Sequence, residues 1–157
     1  PFDRAFADCY YQKLIDVFAK QGLKPFYSRE KVYDLVEALA SCPERVLALE
    51  ACLGDGSCIA TVFSFGYKKW GYYMGAASYR EHQKYLPNEG LFWAFVRHWN
   101  EMGIPCLDLV GYRQYKMKYA PELIDTPVIC FERIPGLLLA KNSLKKAIAL
   151  IRKIWGA

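Results

Sequence analysis

Histidine is scarce in this chain, with only His82 and His98 among 157 residues. Neither stands at a recognisable spacing from a Cys, Ser or Asp partner, so a nucleophilic triad and a covalent acyl-enzyme find no support. His98 is expected to be a partly buried helix residue and His82 a loop residue. The six cysteines form no CxxC pair and have no histidine at ligand spacing. That argues against a metal and for reduced, buried thiols of a cytosolic protein. No apolar run approaches the roughly 18 residues of a membrane span, and no secretory signal opens the chain, so a soluble, cytoplasmic protein is expected. Internal repeats and low-complexity segments are missing as well. Nor is one charge sign dominant: 21 basic residues are interleaved with 16 acidic ones for a net charge of +5, which implies no broad cationic face. The chain begins at Pro1 rather than Met, so a trimmed chain or the later part of a longer protein is expected.

What is present is apolar surface. A hydrophobic content of 54% supplies a two-sided core for one domain over residues 1–157. Phe6, Cys9, Tyr10, Leu14, Val17 and Phe18 recur at three- and four-residue steps and predict a helix over Ala5–Lys20, stopped by Gly22. Ser28 reads as the N-cap of a second helix, Lys31–Ala40, with a stripe of Val32, Leu35, Val36 and Leu39 and an end at Cys42-Pro43. Two strands follow, VLALEACL and SCIATVFSF, joined by Gly54-Asp55-Gly56, whose glycines supply positive φ for a tight hairpin. Both strands are apolar on both faces, which predicts cover on both sides of the sheet. After the turn GYKKWG come a strand over Tyr72–Ala77, a helix beginning at YLPNEGLFWAFVRHW, and a strand Cys106–Val110, with Gly103-Ile104-Pro105 closing the helix. This βαβ-like unit makes the sheet mixed. A polar and aromatic segment, GYRQYKMKYAPE, precedes a strand over Pro127–Glu132 and a last helix from about Ser143 to Trp155. The fold class is α/β throughout.

The helix entry at Leu86-Pro87-Asn88-Glu89-Gly90-Leu91 carries chemistry of its own. A helix N-terminus leaves about four amide groups unpaired and bears partial positive charge, which suits a phosphate, and Gly90 permits close backbone approach. Glu89 favours the helix through the dipole but would repel a phosphate it faced. Asn88 also reads simply as an N-cap.

The order of elements, the Gly54-Asp55-Gly56 hairpin, Ala76 and Ala77 leading to YLPNEGL, and then LDLVG followed by Tyr115-Lys116 together resemble the GNAT acyltransferase superfamily. Within it they are similar to the FemAB-like and CelD-like branch, over roughly Ala5–Arg133. The resemblance implies a GNAT-like mixed, mostly antiparallel sheet with helices on both faces, and a chain corresponding to the second of two GNAT-like domains. It implies acyl transfer from an activated donor, acetyl-CoA or another acyl-CoA, with aminoacyl-tRNA as the alternative, and no metal. The donor seat would comprise Gly75, Ala76, Leu86, Asn88, Glu89, Gly90 and Leu91, with Gly75 or Ala76 beside an opening between strands. In ordinary GNAT enzymes the corresponding turn is richer in glycine than Leu86–Gly90 is.

For the chemistry the resemblance points to Tyr115 and Lys116. Attack on an acyl carbonyl builds negative charge on its oxygen, which a lysine in a partly closed site stabilises, while a tyrosine donates a proton to the leaving group. Against this stands the reading of Lys116 and Lys118 as solvated loop charges. Asp108 would position the acceptor amine or act as its base, or would face solvent. Tyr72 and Tyr73 are expected as core or groove walls. The acceptor would be a small molecule or glycan precursor with an amine or hydroxyl, in cell-envelope or polysaccharide assembly. The alternative is a noncatalytic domain supporting a partner domain or binding a glycan precursor. Tyr112-Arg113-Gln114-Tyr115-Lys116-Met117-Lys118-Tyr119 could also stack and pair with RNA, tRNA included. The tail KNSLKKAIALIRKIW, residues 141–155, reads as a basic amphipathic helix that caps the sheet or lies on anionic lipid at the inner face of the membrane.

Overall fold

The computed structural model describes residues 2–127, with residues 134, 136–137, 139–144 and 147–148. The chain divides into two compact units, Pro1–Ala120 and Pro121–Ala157. In the second, residues 141–144 and 147–148 of the expected tail helix are helical. The rest of that helix, and the expected strand Pro127–Glu132 beyond Pro127, lie outside the described residues.

In the first unit, helix α1 spans Arg4–Ala19 and helix α2 spans Arg29–Ala40. Each starts on a side-chain cap. Asp3 accepts from the Phe6 amide at 3.0 Å and Ser28 from the Lys31 amide at 3.4 Å, and such caps stabilise by about 1 kcal/mol each. Tyr33 donates to Asp8 at 2.6 Å and ties α2 to α1. Strands β1 (Val46–Cys52), β2 (Cys58–Tyr67) and β3 (Trp70–Ser78) form an antiparallel meander. Of the two hairpin glycines, only Gly56 takes positive φ, at +87°. Helix α3 (Pro87–Glu101) then crosses over to β4 (Cys106–Asp108), which pairs parallel to β3. The sheet order is β1-β2-β3-β4, mostly antiparallel as expected.

Alternation along β2 divides the core between two faces. Phe63 and Ala77 pack under α1 and α2 with Phe6, Tyr10, Leu14, Val32 and Val36. Ala60 and Val62 pack against Leu91 of α3, and Phe92, Phe95 and Trp99 continue that layer toward β4. Helices therefore cover both faces. Helix α3 is not buried all round: Trp93 is 64% exposed. Trp99 lies so close to the sheet that a Cβ on Gly66 would fall 2.4 Å from its ring. Its indole Nε1 donates to Ser64 Oγ at 3.0 Å, which satisfies the one polar atom of an otherwise apolar burial.

The strand after α3 is shorter than the expected Cys106–Val110. Val110 and Gly111 take φ of +51° and +69°, and two successive left-handed residues end extended pairing. The cysteines also differ from expectation. Among the described residues Cys9, Cys42, Cys58 and Cys106 are free but only half-buried, and Cys52 is exposed.

Candidate active site

β4 pairs with β3 only at Trp70, Gly71 and Tyr72. At that point β3 carries one residue more than β2, between the pairs Phe65–Tyr72 and Phe63–Gly75. Such a bulge increases the local twist and re-aims a side chain. Beyond it, among the described residues, the edge of β3 has no strand beside it, and a cleft of about 390 Å³ opens there. Its walls are Tyr73, Ala76, Ala77 and Ser78 of β3, Asn88, Glu89 and Phe92 at the head of α3, and Leu109, Tyr115, Lys116, Lys118 and Tyr119 after β4. Val17 of α1 and Gln83 complete it.

The head of α3 is built differently from the expected N-cap at Asn88. Leu86 is the capping residue, in the left-handed region at φ +51°, and Pro87 opens the helix. Proline there loses no helical hydrogen bond, because its missing N–H would have been unpaired anyway. Gly90 N–H donates to the Leu86 carbonyl at 3.2 Å, which leaves the Asn88 and Glu89 amides in the first turn. Asn88 instead turns its side chain to β3, with Nδ2 donating to Ser78 Oγ at 2.8 Å. Its Oδ1 is buried with no partner among the described residues.

Glu89 does not face the cleft as a bare carboxylate. Lys118 makes a short charged hydrogen bond to it. This contact holds Glu89 below the usual carboxylate range and Lys118 above the usual lysine range. Lys116 is committed as well: its Nζ donates to the carbonyls of Leu109, Val110 (2.7 Å) and Gly111 (3.2 Å). An ammonium has three protons, and all three go to this left-handed turn. Loss of water and repulsion from Arg113 hold Lys116 below its ordinary range, with Asp108 opposing. Lys116 is thus engaged by the turn, whereas Lys118 keeps an exposed side chain paired to Glu89.

The aromatic walls are layered. Tyr119 stacks on Phe92 with centroids 3.7 Å apart, and Tyr73 meets Phe92 edge-on at 5.9 Å. Burial drives the Tyr73 phenol well above its ordinary range. Tyr115 is pushed up by loss of water and then by Tyr119, so both phenols keep their protons at neutral pH.

Of the residues singled out from sequence, the cleft brings together Ala76, Asn88, Glu89, Tyr115 and Lys116. Asp108 is not a wall; its Oδ1 accepts from the Val110 amide at 2.7 Å and shapes the turn that Lys116 holds. Gly75 points the other way, where a Cβ would lie 2.7 Å from Phe63 and 2.8 Å from the Tyr10 hydroxyl. Leu91 is core beneath the sheet. Leu86 is exposed, and Gly90 faces open space. Sequence reasoning missed Ser78, Phe92, Lys118 and Tyr119 as walls. The aromatic-basic run Tyr112–Tyr119 was the available signal for the last two.

The model of the acetyltransferase (GNAT) domain matches residues 2–117. The chain belongs to the GNAT acetyltransferases. Solved structures share this GNAT fold at low identity. A possible acetyltransferase from Clostridium difficile 630 superposes with a TM-score of 0.57 at 11% identity, over 83% of this chain and 93% of the other. Glucosamine-6-phosphate N-acetyltransferase from Arabidopsis thaliana gives 0.53 at 13% identity, over 81% and 92%. AAC(6')-Iy, solved with the bisubstrate analogue CoA-S-monomethyl-acetylneamine, gives 0.51 at 14% identity, over 73% and 86%. No curated protein shows significant sequence similarity to this GNAT chain.

Proposed function

We propose that this GNAT domain transfers an acyl group, acetyl in the first instance, from acyl-CoA to an amine or hydroxyl acceptor by direct attack. In this reading it belongs to the FemAB-like and CelD-like branch and acts on a small molecule or glycan precursor in cell-envelope assembly. One observation carries the donor assignment: the edge of β3 beyond Tyr72 lies open beside the head of α3. An acyl carbonyl laid along that edge would find backbone donors, and a diphosphate would reach the first-turn amides. A neighbour of the same fold is solved with a CoA-derived analogue, and the pairing of Glu89 with Lys118 lifts the repulsion its carboxylate would otherwise exert. The unpartnered Asn88 Oδ1 calls for a donor from the bound ligand.

In this mechanism the acceptor attacks the thioester carbonyl, the C–S bond breaks, and Tyr115, kept protonated, gives its proton to the departing thiolate and regains one from the attacking nitrogen or oxygen. Lys116 exchanges its longest contact, the Gly111 carbonyl, for the developing oxyanion, and Asp108 keeps that turn in place. Lys116→Ala is expected to lower kcat about a hundredfold or more, the scale of a lost oxyanion donor. A rise in KM with kcat intact would make Lys116 a loop support only. Aminoacyl-tRNA is the weaker donor, because Lys116 and Lys118 are both engaged by internal partners. Thermal-shift titration decides between donors: acetyl-CoA at a hundred times its dissociation constant stabilises by about 2.7 kcal/mol. No shift with any acyl-CoA species would overturn the donor assignment.

A further inference from the structure

Away from the cleft, α1, β1 and β2 bring together three side chains that lie far apart in the sequence. The Cys9 and Cys58 sulfurs and a Glu50 carboxylate oxygen all lie within 4.8 Å of one another. Lys13 stands against them although only 1% exposed. Its Nζ is 2.9 Å from Cys9 Sγ, 3.1 Å from the Cys9 carbonyl and 5.1 Å from the centroid of the Tyr79 ring. A buried ammonium is costly unless an anion faces it. Among the described residues no carboxylate is within ion-pair distance of Lys13.

We propose that Cys9, Glu50 and Cys58 bind one thiophilic divalent cation, Zn²⁺ in the first instance, with Lys13 as the buried countercharge of the site. Two thiolates and a carboxylate outweigh a divalent ion by one negative charge, which the Lys13 ammonium cancels. The donor set selects zinc over magnesium or calcium, because thiolates prefer softer ions than oxygen ligands do. Zinc–sulfur bonds of about 2.3 Å in tetrahedral geometry place two sulfurs about 3.8 Å apart, so the side chains need close by only about 1 Å. Binding releases the two thiol protons to water. The half-buried thiols and exposed Glu50 give the ion an entry path, a water would fill the fourth position, and the bound ion would staple α1 to the β1–β2 hairpin. Lys13 lies one helical turn before Val17, a wall of the cleft, so the staple would also brace that wall.

Titration of the full chain with Co²⁺ under a non-thiol reductant tests the site. The expected result is a one-to-one titration with sulfur-to-cobalt charge-transfer absorption, displaced by Zn²⁺. Cys9→Ser and Cys58→Ser each abolish that band, and Glu50→Gln weakens binding roughly tenfold or more. A Cys52→Ser, Cys106→Ser, Cys130→Ser protein keeps it. Far-UV circular dichroism in chelator establishes that each variant folds, and if a serine variant does not, the exposed Glu50→Gln carries the test alone. The site is overturned by no band even at millimolar cobalt, by a band that survives loss of both Cys9 and Cys58, or by unchanged affinity in Glu50→Gln.

Discussion

Thr61 lies in the middle of β2 with no exposed surface, and its Oγ1 has no hydrogen-bond partner among the described residues. A hydroxyl buried without a partner costs about 1–3 kcal/mol, whereas an apolar group of the same shape costs nothing in desolvation. Thr61→Val is therefore expected to raise the unfolding free energy by about 1 kcal/mol in urea titration, and a loss would show that the hydroxyl is satisfied after all. Gly66 answers the opposite question. Alanine there drives a methyl into the Trp99 ring, and overpacking of this kind costs about 1–3 kcal/mol. That loss should be read as a lower urea midpoint with an unchanged slope. At this scale the sequence was a partial guide. Tyr115 and Lys116 both line the cleft, while Gly75 and Asp108 were named from a pattern that does not say which way a side chain points. A Cβ on Gly75 would meet Phe63 and the Tyr10 hydroxyl, so that packing accounts for a glycine there.

The elements that make the cleft are held to each other by the Glu89–Lys118 pair, which links the head of α3 to the turn Gln114–Tyr119. Glu89 is lowered in the folded chain, so its contribution is fully present above its ordinary value of 4.5 and is lost as pH falls through the lowered one. Lys118 is raised, so its contribution is present below 10.5 and is lost as pH rises through the raised value. The link therefore holds across neutral pH. Both side chains are more than a third exposed, and solvent screening limits the pair to about 0.2–1 kcal/mol. Lys118→Met should cost about that much at pH 7 and nothing once Glu89 is protonated, as followed by thermal unfolding against pH. If the donor is acyl-CoA, the same variant leaves a bare carboxylate beside the phosphate seat. KM for the donor should then rise several-fold while kcat holds. The element boundaries were legible because they depend on neighbours in sequence: a cap at Ser28, a stop at Gly103, an apolar stripe along α1. The short β4 was not, because its end is set by left-handed φ at Val110, a β-branched residue whose side chain gives no sign of it.

At the scale of the whole first unit, Pro1–Ala120, the described residues form one sheet that serves two cores, with α1 and α2 on one face and α3 on the other. Phe63 and Phe95 lie on opposite sides at 2% and 0% exposure, and truncation of either to alanine is expected to cost about 3–5 kcal/mol. Because the cores share β2, each truncation should move a single cooperative transition, seen alike by tryptophan fluorescence and circular dichroism. Separate transitions would mean that the two layers unfold independently. No described helix is long and apolar enough to cross a membrane.

By itself the sequence determined the alternation of helices and strands, the hairpin at Gly56, the parallel crossover through α3 and the GNAT family. The elements follow from periodicity and turn chemistry, which act over a few residues, and the family from the resemblance that their order and the Tyr115-Lys116 pair carry. Tertiary structure alone decided that Lys116 spends its protons on Leu109, Val110 and Gly111, that Lys118 neutralises Glu89, and that Cys9, Glu50 and Cys58 meet beside a buried lysine. The last two join elements distant in sequence, which only the packing of α1 and α3 onto the sheet brings together, while the Lys116 contacts are local and rest on the left-handed turn at Val110 and Gly111.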